Sequence, residues 1–315
     1  MRQAVTLRLD RSAPLRRPAV PVRRLVLRPE PRLPRLAALV GTPAASRGVL
    51  VYFPGFNTPL GEWELAKCQF LAEATSLTVV MTEIPGMSRF RDPIPDAVRR
   101  DMLRRRPGSW AELNLAYLAE AFRAGGVAGT EVMEVLGYST GCSLAVAALG
   151  VLAQWGPVEG LHLVEPVAIS RRGLTSLQAD NLADWGRLPL VHATNRHHEW
   201  VTHTRRRQWS EPPVHYSAAD LVAIARVLAS EGLLEELERA DVARCGLARG
   251  ERSSLCRRGD FERLDARLDA RGIPGVTVTV PGLGHQLWHS FPTLAGLVGT
   301  LTAATGSARS GNTPN

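Results

Sequence analysis

The sequence is poor in cysteine and almost devoid of lysine. Its four cysteines never stand at C-x-x-C spacing, which excludes the usual zinc-ribbon and thioredoxin-like patterns. We therefore expect four free thiols in a reducing compartment. Lys67 is the one lysine, so arginine supplies 38 − 1 = 37 of the basic residues. This excess indicates a compositional bias rather than a basic surface selected for a partner.

Long apolar runs and aromatic residues interleaved with basic clusters are also missing. The net charge of +8 is scattered over clusters such as 99–106 and 205–207, without aromatic side chains that could stack on bases. No apolar run is long enough to span a bilayer, and residues 1–17 contain no apolar core of signal-peptide length. We expect a soluble, cytoplasmic protein with no nucleic-acid and no membrane partner. The sequence leaves its oligomeric state open.

What the sequence does contain is an alternation of strand-like and helix-like segments. Strand-like segments rich in apolar and β-branched residues occur at 48–53, 77–81, 132–136, 160–164 and 276–280, and the first of them is a continuous apolar run, typical of a strand buried on both faces of a parallel sheet. Helical periodicity occurs at 62–74, 110–122, 218–228, 233–240, 261–271 and 292–304. This order predicts an α/β fold: a mostly parallel, twisted sheet with helices on both faces.

Two interruptions of this alternation divide the chain. Residues 1–47 combine N-terminal strands with an Arg- and Pro-rich leader, which is either mobile or an edge hairpin. Residues 169–239 predict a helical cap, or lid, inserted into a core formed by 48–168 and 240–304. Such an insertion is expected over the carboxyl ends of the strands, where α/β sheets bind their ligands. The polar tail over 305–315 is predicted to be disordered.

The sequence 132–149 holds the most informative motif. A short apolar run leads into Gly137-Tyr138-Ser139-Thr140-Gly141, and a buried helix is predicted directly after it. A G-x-S-x-G between a strand and a helix predicts a sharp turn that pushes the Ser139 hydroxyl out of the sheet. The N-terminus of the following helix favours negative charge that develops there. Ser139 is therefore a candidate nucleophile.

With this motif in place, residues 48–304 resemble the α/β-hydrolases. The resemblance also rests on Pro54-Gly55-Phe56, on Gly282-Leu283-Gly284-His285, and on Glu83-Ile84-Pro85-Gly86, which is similar to the D-x-P-G-x-G stretch of these proteins. The family order is nucleophile, acid, histidine, and Ser139 before His285 obeys it. The resemblance implies that His285 is the general base, with His289 as the nearby alternative.

The resemblance further implies an oxyanion hole made of the backbone N–H groups of Phe56 and Thr140. The family usually has His-Gly where this chain has Pro54-Gly55. Backbone donors perform this role, and Phe56 keeps its N–H, so the hole is expected to be retained.

The acid has three candidates. Many relatives carry it three residues after a glycine that follows the penultimate strand, and here Gly250 places Ser253 at that point. A hydroxyl cannot supply the charge that holds an imidazolium. Other members of the fold place the acid after the strand that follows the nucleophile helix, where this chain has Glu165. We choose Glu165, with Glu251 second and Asp260 third.

No cofactor or metal is expected. Four histidines of the insertion lack the spacing of metal ligands, and its tryptophans suit either an apolar acyl pocket or packing on the sheet. The histidines are His192, His197, His198 and His203, and the tryptophans are Trp185, Trp200 and Trp209.

The resulting prediction is a capped serine hydrolase that cleaves an ester, thioester or lactone of a small acyl substrate through an acyl-enzyme on Ser139. A serine at the elbow argues against the epoxide-hydrolase and dehalogenase reactions of this fold. Two alternatives stay open: a cyclase, lyase or acyltransferase of secondary metabolism, and an inactive small-molecule binding protein.

Overall fold

Nine strands form one mixed sheet in the computed structural model, which describes residues 2–9, 15–127, 132–189, 191 and 214–306. Their order across the sheet is β1-β9-β8-β7-β6-β4-β5-β3-β2. The strands are β1 (Arg2–Thr6), β2 (Val22–Leu27), β3 (Leu36–Gly41), β4 (Val49–Phe53), β5 (Thr78–Thr82), β6 (Met133–Tyr138), β7 (Val158–Val164), β8 (Cys245–Gly250) and β9 (Gly275–Val280).

The helices of the described residues connect these strands. They are α1 (Glu62–Thr75), α2 (Asp96–Leu103), α3 (Gly108–Gly125), α4 (Thr140–Trp155), α5 (Leu174–Trp185), α6 (Ala218–Leu228), α7 (Gly232–Arg239), α8 (Arg258–Ala270) and α9 (Phe291–Gly306). A short 3₁₀ helix, His285–His289, follows β9.

The predicted mostly parallel sheet is confirmed. The strands from β4 to β9 pair in parallel, and β4, β5 and β8 are buried along their whole length. Helices α1 and α9 pack on one face, while α3, α4 and α8 pack on the other, so each face has its own apolar core. The carboxyl ends of β4, β6, β7, β8 and β9 therefore lie along one edge of the sheet, and the loops after them meet there.

The N-terminal strands lie at opposite edges of the sheet. β2 and β3 pair antiparallel and form the edge hairpin that was one of the two interpretations of this segment. β1 pairs in parallel with β9 at the other edge, anchored by the Arg2 guanidinium, whose Nε donates to Asp265 at 2.6 Å.

The insertion between β7 and β8 contains α5, α6 and α7 among the described residues. The helices predicted at 218–228 and 233–240 are confirmed, and Ser217 caps the N-terminus of α6, its hydroxyl accepting the Asp220 N–H at 3.0 Å. Helix α5 was not predicted. Several predictions concern residues outside those that the structure describes. They are the predictions for Trp200, Trp209, the tail from 307, and the four histidines of the insertion that were not expected to bind a metal. The assignment of 169–239 as a cap stays a prediction.

In the ranges described above, no helix combines the length and apolar character needed to cross a membrane.

Candidate active site

Ser139 occupies a strained turn between β6 and α4. Its backbone has φ 54° and ψ −118°, a conformation that residues other than glycine rarely adopt. A Cβ at Gly137 would lie 2.6 Å from the Cα of Cys142, and one at Gly141 would lie 2.1 Å from the carbonyl oxygen of Phe53. Only glycine fits at these two positions, so the G-x-S-x-G motif is required by the close passage of the chain.

His285 reaches Ser139 from the turn after β9. Its Nε2 lies 2.7 Å from Ser139 Oγ, within hydrogen-bonding distance, and the imidazole is 3% exposed. The ring stacks on Tyr138, with centroids 5.7 Å apart, and the Tyr138 hydroxyl donates to the His285 carbonyl oxygen at 3.1 Å. The residue before the nucleophile thus holds both the ring and the backbone of His285.

Glu165 lies on the other side of the imidazole. One of its carboxylate oxygens, Oε2, is 2.9 Å from His285 Nδ1 and also accepts a hydrogen bond from Ser253 Oγ at 2.5 Å. The other oxygen, Oε1, accepts the N–H of Gly250. The residue is fully buried and has φ 55° at the end of β7. Ser139, His285 and Glu165 therefore form one continuous chain of hydrogen bonds.

The two other carboxylates considered for this position lie elsewhere. Glu251 Oε2 accepts the N–H of Gly282 at 2.8 Å on the exposed side of the loop. Asp260 pairs with Arg172, Nη2 to Oδ2 being 2.6 Å, and accepts from Ser170. Neither has a hydrogen bond to His285. His289, the alternative base, packs against the rings of Trp63 and Tyr138.

The surroundings keep the neighbouring hydroxyl and thiol groups protonated. Burial raises the pKa of the Tyr138 hydroxyl well above its usual range, and the charge of Glu165 raises it further. Burial likewise raises the pKa values of the Cys142 and Cys256 thiols. Since a thiol reacts as its thiolate, neither cysteine is an alternative to Ser139 as the candidate nucleophile.

Solved structures share this architecture. A thioesterase domain from the curacin biosynthetic pathway aligns with a TM-score of 0.55 and 18% identity, over 89% of this chain and 100% of that one. A deformylase of N-formylmaleamic acid from Pseudomonas putida aligns with a TM-score of 0.54 and 15% identity, over 90% and 100% of the two chains. A hyperthermophilic esterase from the archaeon Pyrobaculum calidifontis aligns with a TM-score of 0.51 and 18% identity, over 92% and 83%.

The chain has the α/β-hydrolase fold. Neither a protein-family model nor a curated protein matches the sequence. At these low identities the similarity establishes the fold, and the chemistry has to be argued from the residues of the site.

The α/β-hydrolase fold brings the loop after β4 against the turn at Ser139. A Cβ at Gly55 would lie 2.8 Å from the Tyr138 ring and 3.4 Å from Ser139 Cβ, so this loop passes directly beside the nucleophile. Phe56 follows in that loop, and Thr140 provides the first amide of α4, which has no acceptor inside the helix. Both residues line the cavity next to Ser139. Phe56 and Thr140, whose backbone N–H groups are the predicted oxyanion donors, therefore both lie at the cavity beside Ser139.

A cavity of about 780 Å³ lies beside Ser139 and His285. The insertion lines one side with apolar residues of α5 and α6, and the loop after β4 with the start of α1 lines another. The apolar residues that α5 and α6 contribute to the cavity wall are Leu177, Trp185, Leu221, Ile224, Ala225 and Leu228. Within the described residues, no three His, Cys, Asp or Glu side chains are grouped so that they could hold a metal ion.

Sequence reasoning missed Asp184, which joins the insertion to the loops of the site. Its Oδ2 accepts the N–H groups of Ser254 and Leu255 at 2.9 and 2.8 Å, and its Oδ1 accepts from Arg187 at 2.9 Å and from the His285 N–H at 3.4 Å. Asp184 is fully buried. The contacts with Ser254, Leu255 and His285 join residues 70 to 101 positions apart, so no local pattern signals them.

Proposed function

We propose that the chain is an enzyme, a serine hydrolase that cleaves an ester, thioester or lactone through an acyl-enzyme on Ser139. One observation carries the proposal: the uninterrupted hydrogen-bond chain from Ser139 Oγ through His285 to Glu165. A serine hydroxyl is a weak nucleophile at neutral pH, and this arrangement supplies the adjacent base and the third group that such a nucleophile requires.

Each member of the chain has a defined task in this reaction. As Ser139 Oγ attacks the carbonyl carbon, its proton passes to His285 Nε2, which lies 2.7 Å away. Glu165 holds the Nδ1–H tautomer and balances the positive charge of the imidazolium. His285 then gives the proton to the leaving oxygen or sulfur. A water molecule, activated by the same imidazole, releases the acid and regenerates the Ser139 hydroxyl.

The backbone N–H groups of Phe56 and Thr140 stabilise the oxyanion. Negative charge on the substrate oxygen appears only in the tetrahedral intermediate, so donors aimed at that position lower the barrier rather than the ground state. The N-terminus of α4, which begins at Thr140, adds a favourable partial positive charge.

The acyl part of the substrate is proposed to lie against the apolar residues of α5 and α6. A cavity of about 780 Å³ accommodates a ligand of small-molecule size. In this proposal 169–239 acts as a cap that excludes water from the site. The esterase and thioesterase among the similar structures support carboxylic esters and thioesters as the classes to test first.

A fluorophosphonate probe tests the nucleophile directly. We expect covalent labelling of the wild type, located at Ser139 by peptide mass spectrometry, and its loss in the Ser139→Ala and His285→Ala variants. The His289→Ala variant is the matched control, because this nearby histidine has no place in the proton relay, and it should still be labelled.

The same experiment separates the alternatives. Absence of labelling in a folded wild type that still binds small ligands would favour a binding protein. Turnover that survives Ser139→Ala would favour cyclase or lyase chemistry. Labelling without release of free acid, when p-nitrophenyl or thioester substrates are supplied, would favour transfer of the acyl group to another acceptor.

A further inference from the structure

The one lysine of the chain lies in the core beneath the cavity. Lys67 Nζ donates to Glu64 Oε1 at 2.6 Å, and the two residues are 1% and 2% exposed. Burial lowers the pKa of the Lys67 ammonium, and the Glu64 carboxylate offsets part of that shift. Buried ion pairs contribute little to stability compared with apolar residues of similar size. The fold therefore gains little from this pair at a position that apolar side chains could fill.

Glu64 also belongs to the cavity wall, together with Trp63 and Gly61. Its second carboxylate oxygen, Oε2, has no hydrogen-bond partner in the part of the chain that the structure describes, and it has no contact with solvent. A buried carboxylate oxygen without a donor is costly, and most such atoms in proteins are satisfied by a partner or a ligand. The terminal torsion of a glutamate is soft, so the carboxylate can turn toward a bound molecule.

The net charge of the Glu64–Lys67 pair determines which kind of hydrogen-bond donor on a bound molecule suits this site. Because Lys67 already balances Glu64, the pair is neutral overall. A substrate ammonium would add an uncompensated positive charge to a buried site, which is strongly unfavourable. A neutral donor adds no charge, and it supplies the hydrogen bond that Glu64 Oε2 lacks within the described residues.

We infer that Glu64 forms a polar subsite that accepts a hydrogen bond from a neutral donor, a hydroxyl or amide N–H, on the substrate. The inference rests on the proposed function for the position of the reacting bond. The substrate class becomes an ester, thioester or lactone that carries such a donor, with its apolar part on the α5 and α6 side. Glu64 is a specificity-determining residue in this scheme, and Lys67 positions its carboxylate.

Matched substrates test this subsite. We would measure kcat/KM for p-nitrophenyl esters that carry a single hydroxyl at successive acyl carbons, each beside its deoxy counterpart, and for a parallel series with the hydroxyl on the leaving alcohol. At one position the wild type should prefer the hydroxylated ester by about 10- to 100-fold, the range expected for one hydrogen bond to a charged group. The ester with an ammonium at that position should be the poorer substrate.

The Glu64→Gln variant should lower this ratio well below the wild-type value, because the neutral amide NH₂ that replaces Oε2 cannot accept a hydrogen bond and can only donate a weaker one to the hydroxyl. Glu73→Gln makes the same chemical change on the exposed part of α1 and should keep the wild-type ratio. If the single variant fails to fold with Lys67 unpaired, the Glu64→Leu, Lys67→Met double variant removes both charges and the acceptor together. It should show no preference.

Failure of this inference and failure of the proposed function give different results. If esters are hydrolysed but no hydroxyl position is preferred, or Glu64→Gln keeps the preference, the subsite is wrong and the serine hydrolase stands. If no ester is hydrolysed, calorimetry of the Ser139→Ala variant with matched hydroxy and deoxy methyl ketones still measures the subsite. Tighter binding of the hydroxy ketone that is largely lost with Glu64→Gln supports it, and equal binding of the two ketones overturns it.

Discussion

Replacing Glu165 by glutamine removes one negative charge and keeps the shape of the side chain. All three hydrogen-bond partners of the carboxylate act as donors: His285 Nδ1, the Ser253 hydroxyl and the Gly250 N–H. A glutamine must therefore turn its own NH₂ group toward one of them. If the NH₂ group faces Gly250, a buried backbone N–H is left without an acceptor, at a cost of about 1–3 kcal/mol.

If the glutamine NH₂ group instead faces His285, the Gly250 N–H keeps its acceptor, because the imidazole can change tautomer and accept the new hydrogen bond. With Nδ1 as the acceptor, the proton moves to Nε2, which then points at Ser139 Oγ and can no longer take its proton. The charge that balances the imidazolium is lost as well. We therefore expect Glu165→Gln to lower kcat by about 10³- to 10⁴-fold, or about 4–5.5 kcal/mol at 1.36 kcal/mol per decade.

The assay is steady-state hydrolysis of a p-nitrophenyl ester, with circular dichroism to check that each variant folds. Glu251→Gln is the matched control, since Glu251 bonds Gly282 on the exposed side of the neighbouring loop, and its kcat should stay within about threefold of the wild type. A large loss in Glu251→Gln, together with near-normal turnover in Glu165→Gln, would refute the assignment of the acid.

Two further outcomes follow from the same geometry. In the Glu165→Gln background, Ser253→Asp should recover about 10- to 100-fold of the lost kcat, because Ser253 Oγ lies 2.5 Å from the oxygen that faces His285; no recovery would mean that position 253 cannot present a carboxylate to the imidazole. Gly141→Ala should prevent correct folding, since its Cβ would lie 2.1 Å from a carbonyl oxygen at the end of β4. Gly150→Ala, on the exposed face of the same helix with nothing within 4 Å, should raise the melting temperature by about 2 °C, and thermal unfolding of the two variants compares them.

The parts of the fold that the sequence predicted share one property: their burial pattern is local. β4 and β5 are buried throughout, so β4 appears as an unbroken apolar run and β5 as a short apolar run with a threonine at each end. Helices α2 and α5 were missed because they bury few side chains. In α2 only Met102 is buried, and in α5 only Leu177 and Asp184, so neither produces an apolar stripe.

The position of β1 is a long-range property. It pairs with β9, more than 270 residues later in the chain, while β2 and β3 form the opposite edge. A single strand whose residues are all exposed or half-buried is compatible with either edge of the sheet, and nothing local to residues 2–6 distinguishes the two edges.

For the site, the sequence by itself determined the candidate nucleophile, because the constraint on Ser139 is local: two glycines within two residues make the turn possible. The sequence also identified His285 as the candidate general base, because it lies in a glycine-rich loop after a predicted strand. For the acid it ranked Glu165 before Glu251 and Asp260, but all three follow strands or begin helices at the same edge of the sheet, so the sequence could not show which of them lies beside His285. Only the tertiary structure did so, since the position of Glu165 beside His285 depends on the pairing of β7 with β8 and on Ser253 and Gly250 closing around the carboxylate.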